Sequence, residues 1–84
     1  MTTKLHFKST VGNTCYRTIS DGDKVDEGAT HVFRELNRDG KFITRARRLT
    51  ADGPWAAANY MRAVTTNGGT IELLGTPTGI SIND

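Results

Sequence analysis

Along residues 4–8 the apolar side chains Leu5 and Phe7 alternate with Lys4, His6 and Lys8. This is the two-residue period of a strand with one buried face. Gly12-Asn13 offers a two-residue turn and the following "TCYRTI" is rich in β-formers, so residues 1–20 read as a β-hairpin. The alternation then stops. Asp21, Gly22, Asp23, Asp26, Glu27 and Gly28 favour turns over ladders, which predicts an acidic loop over residues 21–30 with Val25 as a short strand contact or core anchor.

"THVFREL" and "KFITRARRLT" form the strongest strand pair in the chain, joined by Asn37-Arg38-Asp39-Gly40. The spacing suits a type I turn with Gly40 in the left-handed conformation, a three-residue connection that pairs Asn37 with Lys41. Followed back along residues 31–50, that register pairs Leu36 with Phe42, Arg34 with Thr44 and Val32 with Ala46 on the core side. Phe33, Glu35, Ile43, Arg45 and Arg47 then share the opposite face, since side chains alternate along a strand. A two-residue Asp-Gly turn would instead set Arg34 against Arg45, an unfavourable like-charge pair.

Only one segment has a helical period. Ala57, Tyr60, Met61 and Val64 recur at helical spacing, predicting a helix over residues 53–67. Asp52 is placed to cap it, Pro54 fits its first turn and Asn67-Gly68 suits its end. Trp55, Asn59 and Arg62 fall on a flanking face. Residues 70–84 read as two short C-terminal strands, "TIELLG" and a last pair Ile80 and Ile82, separated by a "TPTG" turn. The order predicts a single α+β domain over residues 1–84, a small antiparallel sheet of four to six short strands with one α-helix packed on one face.

Composition narrows the class of protein. Hydrophobic residues make up 36% of the 84 and charged residues 24%, polar for a globular chain but not disorder-like. No apolar run reaches the length of a membrane span, and "MTTKLHFKST" lacks the apolar centre of a signal peptide. The expectation is a protein of the host cell cytoplasm with no membrane partner. Cys15 is the sole cysteine, which rules out an internal disulfide and reads as a buried, inert thiol.

Catalytic chemistry finds little support. His6 and His31 are the only histidines, both in predicted strands and neither with a ligand partner at metal-site spacing. The acids of residues 21–27 do not follow the calcium-loop pattern, and "ADGPW" lacks the Lys and Ser/Thr of a phosphate-binding loop. The sequence therefore predicts no enzyme, no metal and no cofactor.

Charge is segregated. Residues 34–48 hold six basic and two acidic side chains, a local net of +4, whereas residues 20–28 hold four acids and Lys24, a local net of −3. Arg45, Arg47 and Arg48 on the second hairpin would neutralise phosphates if that ribbon entered a DNA groove; the plainer reading is a solvated face that guards an edge. Trp55 at the helix start serves either as sheet cover or, beside Asn59 and Arg62, as an interface anchor. The expected partner-binding residues are Arg45, Arg47, Arg48, Trp55, Asn59, Tyr60 and Arg62, with the protein a monomer or a homodimer through an exposed strand edge.

Taken together, "NRDGKFITRARR", "ADGPWAAANYMRAV" and "IELLG" resemble small phage-encoded anti-CRISPR proteins that inhibit type I systems, particularly a type I-F inhibitor. The resemblance rests on Arg38-Asp39-Gly40-Lys41, the Arg-Ala-Arg step at 45–47, Ala56 to Ala58, Met61 and Leu74-Gly75; residues 1–28 fall outside it. It implies a non-enzymatic inhibitor that binds a Cas protein or the CRISPR surveillance complex and blocks DNA binding or nuclease recruitment. The alternatives are a small DNA-binding module using the basic hairpin and an accessory phage or bacterial interaction domain.

Overall fold

A computed structural model describes residues 2–50 and 55–83. The fold is α+β. Strands β1 (Thr2–Ser9), β2 (Thr14–Thr18), β3 (Lys24–Val25), β4 (His31–Leu36) and β5 (Phe42–Arg47) precede the helix α1 (Trp55–Thr66) and the last strand β6 (Ile71–Asn83). The six strands lie in the order β2-β1-β6-β4-β5-β3. All pairings are antiparallel except β3 on β5, so the sheet is mixed rather than wholly antiparallel. The parallel pair arises because the acidic loop returns along β5 and leaves Lys24 beside Arg45 and Val25 beside Ala46.

The two hairpins use one turn design. In the second, Asn37 N–H donates to Lys41 O at 2.8 Å and Gly40 N–H to Asn37 O at 3.1 Å, with Gly40 at φ +78°. The Asn37 carboxamide oxygen also accepts the N–H groups of Asp39 and Lys41, each at 2.9 Å. The resulting register pairs Leu36 with Phe42, Arg34 with Thr44 and Val32 with Ala46, as the turn spacing requires. The first hairpin differs from its expected two-residue turn. Ser9 N–H donates to Asn13 O at 2.8 Å and Gly12 N–H to Ser9 O at 2.9 Å, so Thr10-Val11-Gly12 forms the connection. Gly12, at φ +87°, takes the left-handed third position that a three-residue loop needs.

β6 departs furthest from the sequence reading. No turn interrupts "TPTG"; the strand runs through all 13 residues. Its first part pairs with β4, from Ile71 opposite Glu35 to Gly75 opposite Val32. Its second part pairs with β1, from Gly75 opposite Ser9 to Asn83 opposite Thr2. Gly75 is the hand-over point, and register shifts flank it in both ladders. Bends of this kind let one strand serve two sheet sections that fold over each other. Close approach is what demands glycine: a Cβ on Gly75 would lie 2.0 Å from Lys8 O. Pro77 is tolerated because residues 76–83 have a strand neighbour on one side only among the described residues, the position in which a missing N–H does least harm.

The bend curls the sheet and creates burial on both of its faces. Inside the curl Leu5, Phe7, Val32 and Ala46 form a core, with Cys15, Ile19, Val25, Ala29 and Leu74 packed against it. Arg17 Nε on β2 donates to Thr44 Oγ1 on β5 at 2.9 Å, although three strands separate these two in the sheet order. That contact is possible only because the curl brings the ends of the sheet together. On the outer face α1 covers Phe33, whose ring lies 4.9 Å from that of Tyr60. Phe33 is fully buried, worth about 1.5–3 kcal/mol relative to exposure. Ala56 and Ala57 are the buried helix residues, their small side chains holding the helix close to the sheet. The proposed cap Asp52 and first-turn Pro54 lie outside the described residues.

Candidate interaction surface

The apolar stripe of α1 turns Tyr60 toward β4 and β5, where alternation has set Phe33, Glu35, Arg45 and Arg47 on one face. The Tyr60 hydroxyl donates to Glu35 Oε2 at 3.1 Å, and Arg45 Nη1 lies 3.6 Å from the same oxygen. Arg47 places its guanidinium 5.1 Å from the Tyr60 ring centre and its Nε 3.5 Å from Asp26 Oδ2. The Nε atoms of both arginines are buried without hydrogen-bond partners, so the Arg47–Asp26 contact is one of charge without hydrogen-bond geometry. Burial holds the Tyr60 hydroxyl above its ordinary pKa, opposed by Arg45 and Arg47 and reinforced by Glu35. The group remains a neutral donor at physiological pH.

Two of the three arginines expected to form a basic ribbon are thus engaged inside the molecule. Arg45 and Arg47 are half-buried, each beside a carboxylate. Arg34, one strand away, behaves similarly: its Nη1 is 3.7 Å from Glu72 Oε2 and its guanidinium stacks 3.5 Å from the centre of the Phe42 ring, a cation–π contact. Arg48 is exposed, and its backbone N–H donates to Asp26 Oδ2 at 3.2 Å. β5 is also an interior strand, with β4 on one side and β3 on the other. It is not a free ribbon.

Trp55, Asn59 and Arg62 form the outward face of α1, all exposed. Spacings of four and three residues align them along one side of the helix. Trp55 is 70% exposed, which corrects its reading as sheet cover. The physical reason lies in the two residues that follow: Ala56 and Ala57 already fill the close helix–sheet contact, leaving no depth there for an indole. The seven expected residues therefore divide into an internal clamp of Arg45, Arg47 and Tyr60, an outward ridge of Trp55, Asn59 and Arg62, and Arg48 exposed just beyond the end of β5.

Sequence reasoning placed Glu35 on the face of Arg45 and Arg47 without pairing it to them, and it missed Asp26 as the acid that engages Arg47. The Glu35 pairing was recoverable, since the hairpin register puts it diagonal to Arg45 on the same face. Asp26 was not, because its approach to Arg47 depends on the parallel return of β3. Also missed is an apolar groove lined by Leu5, Val25, Ala29, Pro77 and Ile80, of about 340 Å³.

Among the described residues no helix is long and apolar enough to cross a membrane. Compared with known proteins, the chain matches no family model, no curated protein and no solved structure at a significant level.

Proposed function

We propose that this chain is a non-enzymatic binding protein that occludes a macromolecular partner through the Trp55–Asn59–Arg62 ridge of α1. The observation that carries the reading is an indole held 70% exposed on a helix whose other side is fixed to the sheet by the Tyr60 hydroxyl and the Phe33 ring. A rigid aromatic and arginine pair at the surface is the composition of an energetic hot spot, and a preorganised helix loses little freedom on binding. The resemblance of residues 34–75 to type I-F inhibitors supplies the target. That target is a Cas protein or type I surveillance complex, whose DNA binding or nuclease recruitment the chain blocks.

Direct DNA binding through the 32–49 hairpin fits the geometry less well, because Arg34, Arg45 and Arg47 each have an acidic neighbour. A tagged-protein pull-down from cells expressing a type I-F surveillance complex, run beside a DNA gel shift at low and moderate salt, separates the two. Retention of Cas subunits, with affinity lowered about 30-fold or more by Trp55→Ala and no DNA shift, is the expected result. A salt-sensitive shift with no retained subunit overturns the proposal in favour of a phosphate-binding hairpin.

A further inference from the structure

The groove missed by sequence reading lies on a different surface from the ridge: none of its lining residues belongs to α1. One wall is β6 at Pro77, Gly79 and Ile80; the other is the loop after β3, with Val25 at its start and Asp26 and Glu27 on its rim. Beyond Gly75, β6 pairs only with β1 among the described residues. Alternate backbone N–H and C=O groups of residues 76–83 therefore face away from any strand, which is a template for strand addition. Beside that edge Ile80 and Ile82 are 56% and 61% exposed, although Leu5, the register partner of Ile80, belongs to the inner core of the curl.

We infer that this groove receives an extended peptide strand of a partner, apolar at alternate positions and carrying Lys or Arg between them. Main-chain hydrogen bonds to residues 76–83 would supply affinity, and the apolar side chains would cover Ile80 and the groove floor. Charge selects the occupant. The loop across the groove contributes two acids, Asp26 and Glu27, and no basic residue to its lining. Asp26 is partly engaged by Arg47 and by the Arg48 N–H, but Glu27 is exposed and makes no ion pair among the described residues. A second copy pairing through its own β6 is disfavoured. Residues 71–83 contain no Lys or Arg, and a two-fold pairing of β6 edges would bring two acidic loops together.

The probes are capped hexapeptides alternating Val with Lys and, as control, Val with Glu, titrated by calorimetry and by amide hydrogen exchange. The Val-Lys peptide is expected to bind saturably and to slow exchange within residues 76–83, and the Val-Glu peptide to do neither. Ile80→Ser and Glu27→Lys each alter an exposed side chain, so both variants keep the fold, checked by an unchanged thermal midpoint. Each should weaken the Val-Lys peptide by about tenfold or more, whereas Trp55→Ala should leave it unaffected, which separates this groove from the ridge. Absence of saturable binding, or protection that maps to β2 instead, overturns the inference. Concentration-dependent self-association abolished by Ile80→Ser would also overturn it, giving the groove to a second copy.

Discussion

Gly75→Ala tests the bend on which the curled sheet depends. The added Cβ would meet Lys8 O at 2.0 Å, Lys8 C at 2.8 Å and Ser9 Cα at 2.9 Å. All three are backbone atoms of β1, so no side-chain rotation relieves the clash, and the hand-over of β6 from β4 to β1 must open. Overpacking of a well-packed site costs about 1–3 kcal/mol, and a backbone obstacle puts this variant at roughly 3 kcal/mol. For a chain of this length total stability is roughly 4–13 kcal/mol, so the loss is a large fraction of the whole. It corresponds to a thermal midpoint lower by about 12–24 °C. Urea unfolding followed by far-ultraviolet circular dichroism measures it, with Gly79→Ala as the matched control on the same strand. A Cβ on Gly79 meets nothing within 4 Å, so the control should be neutral or more stable by up to about 1 kcal/mol. If Gly75→Ala loses less than about 1 kcal/mol, or no more than the control, the close passage of β6 against β1 is not what shapes the fold.

Tyr60→Phe removes the hydroxyl that donates to Glu35 and should cost about 1 kcal/mol at neutral pH. It should also change the alkaline limb of stability. The folded pKa of Tyr60 lies above the ordinary tyrosine value, so its stabilisation is fully present below the unfolded value and lost as pH rises through the folded value. Urea midpoints at successive pH values from about 9 upward should fall less steeply in the variant, and identical slopes would contradict the sign. Thr44→Val keeps the side-chain shape at a buried position while deleting the acceptor of the Arg17 Nε–H bond. A loss of about 1–2 kcal/mol is expected, and a double-mutant cycle with Arg17→Met showing no coupling would mean that the two ends of the sheet are not joined there.

Local chemistry made much of this architecture readable from one chain. The Asn37–Lys41 turn needed Gly40 at the left-handed position and opposed like charges in the competing register, so it fixed every pair between β4 and β5. The helix followed from a 3.6-residue stripe that already included Ala57 of its close side. The misreadings fall where local signals had two solutions. Gly12-Asn13 fits a two-residue turn, yet Gly12 closes a three-residue loop; "TPTG" has turn composition, yet continues a strand because its Pro sits on an unpaired edge. At the candidate surface, Trp55, Asn59 and Arg62 could be grouped by helical spacing alone, whereas the fate of Arg45 and Arg47 could not.

By itself the sequence determined β1, β2, β4, β5 and α1, the second hairpin's register and the existence of two sheet faces, since each depends on residues close together along the chain, but not the unbroken β6. Tertiary structure alone decided which basic groups are free. That outcome depends on Asp26 reaching Arg47 through a parallel β3 and on Tyr60 descending onto Glu35, contacts 21 and 25 residues apart in sequence. The bend at Gly75 belongs to the same class. It couples Ser9, Val32 and Gly75, three positions that no local period relates, and it creates both the inner core and the groove beside β6.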